Sequence, residues 1–149
     1  MKNGLFSIRM ADAADLPRII RLDAKVSLAS KPDYWKRLFA NCRESPSQHF
    51  LLIAARDNDL LGFIAGEIRA WEFGSPPCGW VFAIAIDPAN RLEGIGARLF
   101  DAICDHFRRA GINKVRTMIA RDANLVMSFF RSQGMMAGPF VELEKDLDG

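Results

Sequence analysis

The six residues Arg91-Leu92-Glu93-Gly94-Ile95-Gly96 have the types and spacing of an anion cradle. They follow an apolar run that ends in Asp87-Pro88, and they open an amphipathic one. The N–H groups of a first helical turn are unpaired donors, and the helix dipole adds positive potential there. Side chains at Gly94 and Gly96 would keep a phosphate from those donors. Arg91 adds a charge-assisted contact, and Leu92, Ile95 and Ala97 complete the stretch. Glu93 is the odd member. Its carboxylate is expected to point to solvent while its N–H faces the anion. A dinucleotide loop wants G-x-G-x-x-G directly after a strand, and Leu99 stands at the third position here. A phosphate loop wants Gly-Lys-Ser/Thr at its end, which "GARL" lacks. The remaining alternative is a helix start that tolerates glycine for packing, at about 2 kcal/mol of helix propensity for the pair.

Proton chemistry has few candidates. Glu67, in "AGEIRAW", can accept a proton directly or through water if it faces a cleft. Otherwise it is a strand carboxylate paired with Arg69 or Arg56. His49 and His106 are the two histidines. His106 lies beside Phe107 on a helical run and reads as a surface or boundary residue. Cys42, Cys78 and Cys104 are odd in number and widely spaced, so neither a disulfide framework nor a metal site is expected.

The elements that must hold these groups can be read from periodicity. "FSIRMA" alternates as a strand. Leu16, Ile19, Ile20 and Val26 recur at helical spacing, with Asp12 or Asp15 as cap and Pro17 in the first turn. "PDYWKRLFANC" reads as a second helix. "HFLLIAARD" and "LLGFIAGEIRAW" read as strands around a "DND" turn. "WVFAIAID" has the continuous apolarity of a strand covered on both faces. Ile95, Leu99, Ile103, Phe107 and Ala110 form one helical face, which Gly111 ends. "NKVRTMIA" then reads as a strand, "NLVMSFFRSQG" as a short helix and "FVELEKDL" as a last strand. The expected order is β-α-α-β-β-β-α-β-α-β, an α/β (α+β) domain with a mixed sheet over residues 1–149.

Composition excludes several classes. With 149 residues, 50% hydrophobic and 26% charged, the chain has the profile of one soluble domain. A formal net charge of +2 gives no argument for nucleic acid. Met1 to Leu5 shows no leader pattern, and no apolar run approaches the roughly 20 residues of a membrane span. A reducing, cytoplasmic setting is expected.

The element order, together with "RLEGIG" at the mouth of the central helix, resembles the GNAT superfamily, the Gcn5-related N-acetyltransferases. Their acyl-CoA signature is R/Q-x-x-G-x-G/A, matched by Arg91, Gly94 and Gly96, and the likeness in element order covers nearly the whole chain. The resemblance implies a mostly antiparallel sheet flanked by helices, with acetyl-CoA as acyl donor and no metal. It implies a central strand that splays so that Ile84, Ala85 and Ile86 meet the pantetheine arm, and an acceptor wall built from Tyr34, Trp35, Trp71 and Glu72, the last attracting a cationic amine. Many relatives carry a tyrosine acid where "FFRSQGM" places Phe130. Ser128 is a substitute donor, or a helix serine bonded to its own backbone. Asn124 lies near a pantetheine-binding asparagine of relatives, one position displaced. The implied activity is acetyl transfer to a small-molecule or peptide amine. A non-catalytic acyl-CoA sensor is the alternative. No nucleic-acid or membrane partner is implied, and a homodimer is compatible.

Overall fold

The computed structural model describes residues 5–149. Met1 to Gly4, part of the stretch without a leader pattern, lie outside the described residues. The chain divides into two compact units, one ending at Met118 and one beginning at Ile119. The first holds β1 (Ser7–Met10), α1 (Leu16–Ser27), α2 (Pro32–Glu44), β2 (His49–Arg56), β3 (Asp59–Arg69), β4 (Cys78–Ile86), α3 (Ile95–Arg109) and β5 (Val115–Thr117). The second holds α4 (Asn124–Ser132).

The sheet runs β1-β2-β3-β4-β5. Its first three pairings are antiparallel, and β4 pairs with β5 in parallel. Alternation along the strands divides the core between two faces. Leu51, Ile53, Phe63, Ala65 and Ala85 pack with Ile19, Leu22, Trp35 and Cys42 from α1 and α2. The opposite face carries α3. There Phe50 meets the ring of Phe107 edge-on at 5.5 Å and that of His106 at 5.3 Å. Burial pushes the His106 imidazole below its ordinary value, with Arg109 acting in the same direction. Two glycines admit this helix. A Cβ at Gly79 would lie 2.6 Å from the Phe107 ring, and one at Gly66 would lie 2.9 Å from Ile103.

Two one-residue irregularities shape the sheet. Between β2 and β3 the register shifts at Ala54/Ala55, leaving Leu61 as the extra residue. Between β3 and β4 it shifts at Ala65/Gly66, leaving Phe82 unmatched. Each bulge turns the strand beyond it over. Leu60 and Phe63 therefore share the α1–α2 face. Phe82 is partly exposed within an otherwise covered strand.

The start of α1 is tied down by charge. Asp12 and Asp15 form a capping box on the 3₁₀ turn Ala13–Asp15 that leads into α1, rather than one single cap. Asp15, fully buried, accepts from Arg9 at 2.7 and 3.0 Å and from Arg18 at 2.7 Å. Burial alone would raise its carboxyl. The hydrogen bonds from Arg9 and the Asp12 N–H, with the charges of both arginines, hold it below its ordinary value instead.

The architecture is the expected mixed α/β type, with two local corrections. The strand expected over "NKVRTMIA" is only Val115–Thr117. No strand forms over "FVELEKDL", where Phe140, Val141 and Leu143 are exposed. Alternation alone does not make a strand without a partner edge. Among the described residues, no helix is long and apolar enough to cross a membrane.

Candidate active site

The glycine loop is built at the end of β4. Asp87 caps a 3₁₀ turn over Pro88–Glu93 by accepting from the Ala89 N–H at 3.1 Å. Gly94 follows at φ 74°, the left-handed region that glycine enters without strain. It hands the chain to α3 with no side chain capping the first turn. A Cβ at Gly94 would meet nothing within 4 Å. Arg91 is exposed on the same turn. The first turn of α3, Ile95 to Ala97, thus begins without a side-chain cap.

Glu93 departs from expectation. Its carboxylate does not point freely to solvent but pairs with the Arg56 guanidinium at the end of β2. The same guanidinium donates from Nε to the Leu5 carbonyl at 3.2 Å. The one acidic side chain of the loop is therefore neutralised within the first unit.

Beside this loop, the ladder on the β5 side of β4 is short. Its ladder to β5 covers Gly79 to Val81, paired with Val115 to Thr117. From Phe82 to Ile86, the described residues give it a strand neighbour on the β3 side alone. Ile84 and Ile86 are half-buried and Ala85 is buried.

On the α1–α2 face, the end of β3 and the outer side of α2 enclose a cleft of about 330 Å³. Its strand wall carries His49, Glu67 and Arg69, with Phe82 of the bulge, and its helix wall carries Tyr34, Arg37 and Asn41. Glu67 accepts from Arg69 Nε at 2.8 Å, and its other oxygen lies 3.5 Å from His49 Nδ1. The Arg69 guanidinium is also stacked 4.7 Å over the Trp80 ring. Burial raises the Tyr34 phenol, helped by Asp23 and Glu67. Burial also pushes the Cys42 thiol up to about 11, so both groups stay protonated at neutral pH. This arrangement brings a carboxylate and an imidazole together at the strand wall of the cleft. A larger hollow of about 480 Å³ at the β1–β2 edge, lined by Phe6, Ala55 and Arg56 among others, gathers none of the expected site residues.

The expected acceptor wall is only partly formed. Tyr34 lines the cleft. Trp35 does not: it is 1% exposed, and its Nε1 donates to the buried Asp23 at 2.9 Å. An apolar helix position facing the sheet claims it for the core. Trp71 and Glu72 are exposed on the β3–β4 connection and do not line the cleft. In the second unit, Asn124 opens α4, Ser128 is exposed, and Phe130 is buried edge-on to Phe129. His49 lines the cleft beside Glu67 although no motif in the sequence marks it. Its pairing with Glu67 depends on the β2–β3 bulge, which no spacing reveals.

Comparison with known proteins agrees with this architecture. A family model described as the acetyltransferase (GNAT) family matches residues 16–135. The chain is 32% identical over 122 residues to the N-alpha-acetyltransferase RimI of Mycobacterium tuberculosis, covering 81% of this chain and 72% of that protein. It is 27% identical over 130 residues to the L-2,4-diaminobutyric acid acetyltransferase of Nocardia farcinica, covering 87% of this chain and 63% of the relative. It spans only 30% of a mycothiol acetyltransferase from Kocuria rhizophila to which it is also similar. The fold superposes on the aminoglycoside antibiotic 6′-N-acetyltransferase AAC(6′)-IG of Acinetobacter haemolyticus with a TM-score of 0.80 at 20% identity, over 95% of this chain and 99% of that one. On the extent of the family match and on its fold, the chain belongs to the acetyltransferase (GNAT) family.

Proposed function

We propose that this chain is an acyl-CoA-dependent N-acyltransferase that moves an acetyl group from acetyl-CoA to a primary amine by direct attack in a ternary complex. One observation carries the proposal: the carboxylate of Glu67 and Phe82, the bulge residue of β4, line the same cleft. The donor's thioester supplies an activated acyl carbon. The uncapped first turn of α3 and the open space at Gly94 suit its pyrophosphate, with Arg91 as an added cation. The backbone of Ile84 to Ile86 suits its pantetheine arm, and an N–H of that edge can polarise the thioester carbonyl.

The amine must lose a proton to attack. Glu67, directly or through His49 and water, takes it as the nitrogen–carbon bond forms. The carbon–sulfur bond then breaks, and the thiolate leaves with the electron pair. A thiol of pKa about 8.5 leaves tolerably as thiolate near neutral pH. Water can protonate it, which Phe130, lacking a hydroxyl, cannot do.

Glu67→Gln is expected to lower turnover by roughly 10²–10⁴ with acetyl-CoA affinity unchanged. Gly96→Leu is expected to abolish acetyl-CoA affinity in a chain that still folds. Unchanged turnover would return Glu67 to a structural pairing with Arg69, and unchanged affinity would remove the pyrophosphate from α3.

A further inference from the structure

Resting on the acyl-transfer reading above, we infer that the acceptor taken by this cleft is an amine that also carries a carboxylate, held by Arg37 with Asn41.

The charges facing the cleft come from three elements. From β2 there is His49, and from β3 there are Glu67 and Arg69. From α2 there is Arg37, flanked by Tyr34 and Asn41. Arg69 and Glu67 satisfy one another at 2.8 Å, and the stacking of Arg69 on Trp80 keeps its guanidinium on the strand wall. On that wall the Glu67 carboxylate and the Arg69 guanidinium offset one another. Tyr34 and Cys42 add no charge, being neutral near pH 7. On the helix wall, Arg37 forms no ion pair among the described residues.

Arg37 and Asn41 are one turn apart on α2, so their side chains share the face that closes the cleft. A guanidinium fork beside an amide donor matches the two oxygens of a carboxylate. Across the cleft, Glu67 offers an anion to the ammonium form of the acceptor and then takes its proton. The cleft thus sets a guanidinium on its helix wall across from the carboxylate of its strand wall. An acceptor with an amine at one end and a carboxylate at the other is complementary to both, whereas a polycation would meet an unmatched guanidinium.

The test uses matched pairs: amino acids with a side-chain or terminal amine, and their carboxamides, with two polyamines as cationic controls. The amine is remote in each pair, so amidation leaves its basicity nearly unchanged. Thiol release from acetyl-CoA is expected to favour the acid by about tenfold or more in kcat/KM, expressed mainly in KM. Arg37→Gln is expected to bring that ratio near one, and Arg37→Lys to restore part of it. Equal or better turnover of carboxamides or polyamines would overturn the inference, as would a ratio that Arg37→Gln leaves in place. So would acetyl-CoA binding by calorimetry with none of the acids acetylated. Failure to bind acetyl-CoA at all would instead overturn the acyl-transfer reading.

Discussion

Arg56 pairs with Glu93, the carboxylate inside the proposed anion loop, and removing it should expose how much that carboxylate opposes the ligand. In Arg56→Ala, Glu93 loses its partner while remaining next to Gly94, at the positive end of α3. There it competes with a phosphate for the same potential. At a separation of roughly 7 Å and an effective dielectric of about 20, each carboxylate–phosphate charge pair costs about 2 kcal/mol. Screening over a Debye length of about 8 Å at physiological salt lowers this to about 1 kcal/mol. Acetyl-CoA affinity is therefore expected to fall about five- to tenfold. Glu93→Gln alone should leave affinity within about twofold of the parent or tighten it. The double variant should return to the Glu93→Gln level, a coupling of about 1 kcal/mol. Isothermal titration calorimetry at two salt concentrations measures all four proteins, and the single-variant penalty should shrink at the higher salt. Equal losses in Arg56→Ala and in the double variant would refute the charge argument. They would show that Arg56 acts by touching the ligand or through its bond to the Leu5 carbonyl.

Gly79→Ala places a methyl group 2.6 Å from the Phe107 ring, so urea denaturation should show a loss of about 1–3 kcal/mol, smaller in a Phe107→Leu background. Asp15 titrates below its ordinary value in the folded chain. Its stabilisation is therefore complete above the unfolded carboxylate pKa of about 3.9 and is lost as pH falls from there through the folded value. Stability curves from pH 7 to pH 2 should show an acid-side decline that is shallower in Asp15→Asn, and parallel curves would remove Asp15 from the acid response.

What could be read from the sequence were the elements whose signal is local. The helical spacing of Ile95, Leu99, Ile103 and Phe107 predicts α3, and the glycines predict its open start. Trp35 was misassigned because periodicity marks a face as apolar without saying whether that face meets a sheet or a cleft. The last strand was misassigned because alternation at Phe140, Val141 and Leu143 carries no information about a partner edge.

The cleft itself arises from a non-local cause. The turn pairs Arg56 with Asp59 and Ala55 with Leu60. Continued without interruption, that register would set His49 against Gly66 and send Glu67 to the α3 face. The extra residue Leu61 moves the pairing by one, so that His49 stands opposite Glu67 and both face α2. The extra residue Phe82 does the same on β4. Gly79 lies under Phe107 before the bulge, while Ala83 and Ala85 face the α1–α2 core after it. Neither Leu61 nor Phe82 differs in type from its apolar neighbours, so hydrophobic pattern cannot single them out. Packing selects them. Without the first bulge, a carboxylate would be driven into the layer where Ile103 and Phe107 already fill the space over Gly66, at the cost of an unpaired buried charge. The same preference that keeps Glu67 out of the α3 core delivers it to the cleft.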